Sequence, residues 1–209
     1  METKYNEIVM LVHPLYDLIF LKMKIPKEIY IHQDITNDEL VKYTQKLLTN
    51  PKLKHQYNQC ILEYKEQLLK YKDKPNTLII LYSPVAKDSK QKIVFDFLAK
   101  NLIQSCKNSL KERFILSYKH SSDDLLLDLH QEKLANNIKL VSFGEWENDC
   151  VTEWLNKLAK RLEETRHKIK SKILFKKSLS FSGKNKGLDQ CIRYRPLKRK
   201  PNFVKSIAK

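Results

Sequence analysis

Over the first 165 residues, short unbroken apolar runs alternate with longer stretches in which apolar residues recur every three or four positions. The runs occupy residues 7–13, 77–82, 113–118 and 138–143, and each is closed by polar or turn-forming residues such as His13-Pro14 and Ser83-Pro84. Runs of this length read as strands buried on both faces of a parallel sheet. Between them lie helical signals. Thr36 and Glu39 form a capping-box pair ahead of Leu40, Val41, Leu47 and Leu48. Asn50-Pro51 opens a second helix to about residue 71, with Ile61, Leu62, Leu68 and Leu69 predicted on its inner face. A third spans about 90–108, with Ile93, Val94, Phe97, Leu98 and Leu102 inward. Ser121 or Ser122 caps a fourth that carries Leu125, Leu126, Leu129 and Leu134 and stops at Asn136-Asn137. A fifth starts near Cys150 and continues to about residue 164. Residues 14–23 are densely apolar and fit a short helix opening at Pro14, while residues 29–32 read as a brief extended piece.

Four strand-then-helix units in succession predict an α/β protein. The expected architecture is a three-layer α/β/α sandwich, Rossmann-like, with a mostly parallel sheet of about four strands and right-handed crossovers. The strand order is not readable from the pattern. At 209 residues the chain suits one such domain, residues 1–165, followed by an appendage, residues 166–209.

Charge sharpens that division. The net +16 is unevenly spread: residues 1–165 hold 25 Lys+Arg and 23 Asp+Glu, whereas residues 166–209 hold 15 Lys+Arg and only Asp189 as an acid. The body is near neutral and the extension is a polycation. Residues 166–177 read as a continuation of the last helix, with Ile169, Ile173 and Leu174 as a narrow apolar stripe; residues 178–183 break it and the remainder reads as irregular. Lys176, Lys177, Lys184, Lys186, Arg193, Arg195, Lys198, Arg199 and Lys200 are interleaved with Phe181, Tyr194 and Phe203. Cations neutralise phosphates and rings stack on bases, so this mixture points to nucleic acid through Tyr194 and its basic neighbours. RNA is favoured because no helix-turn-helix or zinc-finger signature accompanies the charge. An anionic membrane surface and an acidic protein are the alternative partners. No run reaches the ~18 apolar residues of a membrane span, and the amino terminus shows no signal-peptide pattern. Cys60, Cys106, Cys150 and Cys191 lack paired spacing, so the expected setting is a reducing, cytoplasmic one.

Candidate chemistry gathers at the strand exits, where parallel sheets bind ligands. These supply His13 and Asp17, Ser83, Lys119 and His120, and residues 144–150. Gly144 is the only glycine before residue 183 and marks a position that rejects a side chain. Cys150 stands where a helix start lowers a thiol's pKa, although Glu145, Glu147 and Asp149 oppose thiolate formation. Its plain alternative is a small apolar residue that packs the helix on the sheet. Lys119 suits an anion or a thiolate, or is simply solvated. His13 suits a general base, or a hydrogen-bonded structural role. Trp154 is expected in the core.

Gly144 and Cys150-Val151, following a buried strand, resemble the Gly-x5-Cys-Val segment of the isochorismatase-like cysteine hydrolases, which include nicotinamidases. The resemblance covers about residues 113–155. It implies Cys150 as nucleophile and Lys119 as its assisting lysine. Where that family has an aspartate at the end of its first strand, this chain has Val12-His13-Pro14, with Asp17 four residues beyond His13. No Asp-x-His metal arrangement of the nicotinamidase kind is present, and neither a Walker A loop, a GxGxxG turn nor a Gly-x-Ser-x-Gly elbow occurs. No metal and no cofactor are expected.

Overall fold

The computed structural model describes residues 4–31, 35–119, 131–145, 151–174, 177–180 and 193–196. Strands β1 (Tyr5–Val12), β2 (Thr77–Ala86), β3 (Phe114–Lys119), β4 (Leu134–Gly144) and β5 (Lys168–Leu174) form one sheet in the order β3-β2-β1-β4-β5. Every neighbouring pair is parallel. The chain steps outward from β1 to β3, then returns to the other side of β1 for β4 and β5. That reversal places a topological switch point between β1 and β4.

Helices α1 (Lys27–Ile31), α2 (Asn37–Leu47), α3 (Pro51–Leu69), α4 (Gln91–Leu110) and α5 (Thr152–Glu164) complete the layers. On one face, Val9, Leu11, Ile79, Leu81, Val141 and Phe143 pack with Leu40, Tyr64, Leu68, Phe95 and Leu102 from α2, α3 and α4. On the other, Ile8, Met10, Val12, Leu78, Ile80, Leu140 and Ile169 meet Leu155, Leu158 and Leu162 of α5. Alternate side chains of each central strand thus enter different cores, which is why these strands read as unbroken apolar runs. The fold is the expected three-layer α/β/α sandwich on a parallel sheet.

Helix starts follow local chemistry. Thr36 and Glu39 close a full capping box, with the Thr36 N–H donating to Glu39 Oε2 at 2.8 Å and the Glu39 N–H donating to Thr36 Oγ1 at 3.3 Å. Asn50 Oδ1 accepts from the N–H groups of Lys52 at 3.0 Å and Leu53 at 3.2 Å, ahead of Pro51 at the first helical position.

Several elements differ from the sequence-based expectation. The sheet has five strands, because residues 168–174 form β5 and do not continue α5. Ile169 is buried opposite Ile138, the outer edge of β4 offers a ladder to pair with, and one extra residue, Lys170, shifts the register before Ser171. β4 begins at Leu134, so Leu134 and Asn136-Asn137 belong to the strand and not to a preceding helix; residues 120–130 lie outside those described. Residues 18–22 form a π-helix and Pro14 sits in the turn before it. Residues 27–31 are helical, where an extended piece was expected. On α3, Leu62 faces solvent and the buried line is Leu53, Gln56, Cys60, Tyr64, Gln67 and Leu68.

Candidate functional site

At the switch point β1 and β4 run out side by side, with Val12 opposite Gly144. Gly144 has φ +148°, and a Cβ added there would lie 2.0 Å from the Val12 carbonyl oxygen. The single glycine of the body is therefore required by the close approach of two strands. One residue on, the Glu145 N–H donates to the Val12 carbonyl at 3.1 Å and the side chain turns inward, fully buried.

The Glu145 carboxylate holds the turn that leaves β1. Its Oε1 accepts the Leu15 N–H at 2.8 Å and its Oε2 accepts the Asp17 N–H at 2.8 Å. The Tyr64 hydroxyl, reaching from α3, donates to Oε1 as well. The turn needs this support because His13 (φ 50°) and Leu15 (φ 66°) both adopt left-handed backbone conformations, each costing about 1–2 kcal/mol outside glycine. Backbone N–H groups at this place in a parallel sheet commonly face an anionic ligand. Here they are bound by the chain's own Glu145 carboxyl group.

Burial pushes the Glu145 carboxyl up to about 8, and the nearby Asp17 charge adds to the rise, while the Tyr64, Asp17 and Leu15 donors pull the other way. Burial likewise drives the Tyr64 phenol well above its ordinary 10, with the Glu145 charge adding to the effect. A carboxyl titrating near neutrality at strand exits has the acidity of a general acid or base. Its lack of exposure and its three internal donors make it a strut that fixes the turn.

Aromatic rings line the same end of the sheet. Trp154 of α5 stacks on Tyr82 at 4.4 Å and meets the His13 ring edge-on at 6.1 Å. The His13 ring lies 6.4 Å from Tyr16, which is 4.7 Å from the part-exposed Phe20. The His13 N–H donates to the Tyr82 carbonyl at 2.8 Å, tying the exit of β1 to β2.

Of the sequence-predicted site residues, His13 (5% exposed) and Asp17 (0%) both lie in the segment that leaves β1, and both are buried. Ser83 is also buried but does not end its strand: β2 runs through Ser83-Pro84 to Ala86, with Ser83 Oγ accepting the Val85 N–H at 3.2 Å where the register with β3 shifts. Lys119 ends β3, the outermost strand on its side, three strand spacings from β4, or about 14 Å across the sheet; its side chain lies outside the described residues. Cys150 lies outside them too, as do Lys176, Lys184, Lys186, Lys198, Arg199 and Lys200. Lys177 begins β6 (Lys177–Ser180), and Arg193, Tyr194 and Arg195 lie in β7 (Arg193–Pro196). These strands pair antiparallel, with Ser178 opposite Arg195. Cys60 and Cys106 are buried, and burial pushes the Cys106 thiol up to about 12, far from a reactive thiolate. Among the described residues no cluster of three His, Cys, Asp or Glu side chains is placed to hold a metal ion, and no helix is long and apolar enough to cross a membrane.

No family model, curated protein or solved structure matches the chain.

Sequence reasoning missed Glu145 as a central group, reading it only as one of three acids that oppose a thiolate at Cys150. Its position directly after the lone glycine of the body is the one available signal. Tyr64 was missed with it, since a tyrosine within a lysine-rich helix carries no mark of a partner 81 residues away.

Proposed function

We propose that this protein binds nucleic acid, with RNA favoured, through its basic carboxyl-terminal extension, and that the α/β body is the scaffold that carries it. The observation behind this reading is the segregation of charge: residues 166–209 hold 15 Lys+Arg against one acid, while the body is almost balanced. A block of like charge repels itself unless an anion compensates it, and phosphates do so with release of counterions. Supporting it, β5 lies on the edge of the sheet with Lys168 and Lys170 exposed, so basic side chains begin on the folded body. The self-filled donor site at Glu145 weighs against a nucleotide bound at the switch point. The test uses full-length protein in which Arg193, Arg195, Lys198, Arg199 and Lys200 are changed to glutamine. Loss of RNA retention with an unchanged thermal melt supports the reading; undiminished retention ends it.

A thiol hydrolase resembling the isochorismatase-like family is the second reading, supported by the placement of His13 and Asp17 after the first strand. It predicts alkylation of Cys150 well ahead of the buried Cys60 and Cys106, slowed by Lys119→Met. Labelling of Cys150 as slow as that of the buried thiols ends it.

A further inference from the structure

Glu7 and Lys139 face each other across β1 and β4, and their side chains pair at 2.6 Å. Ile8, Ile138 and Leu140 point into the core beneath α5, so strand alternation assigns Glu7 and Lys139 to the opposite face; Lys170, at the register shift of β5 between Ile169 and Ser171, joins them in the lining. There, at the amino ends of the strands, they wall a cavity of about 500 Å³ together with Lys4, Asn136 and Asn137. This is the far end of the sheet from Glu145 and His13.

Its lining holds three lysines and one carboxylate. That carboxylate is committed: besides the Lys139 pair, Glu7 Oε2 accepts the Thr77 hydroxyl at 3.1 Å, and Glu7 is 8% exposed. Lys4 and Lys170 are exposed, and among the described residues neither takes part in an ion pair. The exposed amides of Asn136 and Asn137 add donors and acceptors matched to phosphate oxygens and to a ribose 2′-hydroxyl.

We propose that this pocket takes a phosphodiester of the same single-stranded RNA that the extension binds, an assignment that rests on the RNA reading above. β5 supplies the connection. It starts beside the pocket with Lys168 and Lys170 and hands the chain to the rest of the extension after Leu174. The strand is about 23 Å long, so RNA lying along this edge meets the pocket at one end and the extension at the other. Lysines on an edge strand also deter strand pairing, but Lys4 is not on that strand and needs a different account.

The test measures binding of fluorescein-labelled single-stranded polyuridine RNA to full-length protein across a salt series. Each single-strand phosphate contact contributes about 0.7 to the slope of log K against log salt. The double variant Lys4→Ser/Lys170→Ser, which leaves the Glu7–Lys139 pair intact, is expected to flatten that slope by about 1.4 with an unchanged melt. The control Lys52→Ser/Lys54→Ser, on the exposed side of α3, is expected to leave it unchanged. An unchanged slope in the pocket variant, or equal flattening in the control, overturns the pocket and spares the RNA reading. Absence of RNA binding by the wild-type protein overturns both, as does binding of polyglutamate in preference to RNA.

Discussion

Leu15 and Glu145 are separated by 130 positions in the chain, yet the backbone N–H of Leu15 donates to the Glu145 carboxylate at 2.8 Å. The same carboxylate takes the Asp17 N–H and the Tyr64 hydroxyl. One side chain therefore joins the exit of β4 to the exit of β1 and to α3. The two left-handed residues of the β1 exit, His13 and Leu15, persist because this carboxyl group over-determines the turn.

Replacing Glu145 by alanine leaves three buried donors without an acceptor, each worth roughly 1–3 kcal/mol. Glu145→Ala is expected to lower unfolding stability by at least about 3 kcal/mol, and Glu145→Gln, which keeps one acceptor oxygen, by less. Urea denaturation checks both. An alanine variant as stable as the wild type contradicts the strut.

The same carboxyl makes stability depend on pH. Its folded pKa is raised from 4.5 to about 8, so between those values the unfolded chain has released a proton that the native state retains. Stability then falls as pH rises. Glu145's favourable contribution is fully present below about 4.5 and is lost as pH passes upward through about 8. Denaturation midpoints measured across this window should decline in the wild type and decline less in Glu145→Gln, which has nothing to titrate there.

At Gly144 the constraint is steric. A Cβ would stand 2.0 Å from the Val12 carbonyl oxygen, at a φ that side chains rarely adopt. Gly144→Ala must part the central strands, and a loss of about 4 kcal/mol or more is expected. Soluble expression followed by a thermal melt reads this directly; a near-native melt would show that the strands yield.

At the start of α2 the effect is smaller. Thr36→Ala removes the side chain that accepts the Glu39 N–H and is expected to cost about 1 kcal/mol, read as a shift in urea midpoint with unchanged slope.

The central strands were legible because burial on both faces leaves no polar alternation to confuse with a helix. Thr36-Glu39 and Asn50-Pro51 announced their helices through chemistry local to the chain. β5 was not legible in the same way. Its lysines resemble the charged face of a helix, Ile169 and Ile173 are spaced as on a helix face, and only pairing with β4, which sets them opposite Ile138 and Val141, decides for a strand. Leu62 was misplaced because apolar identity does not tell which side of a helix meets the sheet, whereas Tyr64, with one polar atom, is fully buried. At the strand exits, His13 and Asp17 could be found from the end of an apolar run. Glu145 could not be told from Glu147 or Asp149, since its burial depends on donors supplied by Leu15, Asp17 and Tyr64 from remote parts of the chain.

The central claim is that the basic extension engages a polyanionic strand. Its most direct test is the affinity of the full-length protein for single-stranded RNA between about 50 and about 200 mM salt. Engagement of at least five phosphates by the clustered Lys and Arg predicts a slope of log K against log salt of about −3.5 or steeper. Affinity that is absent, or that stays level across that range, would contradict it.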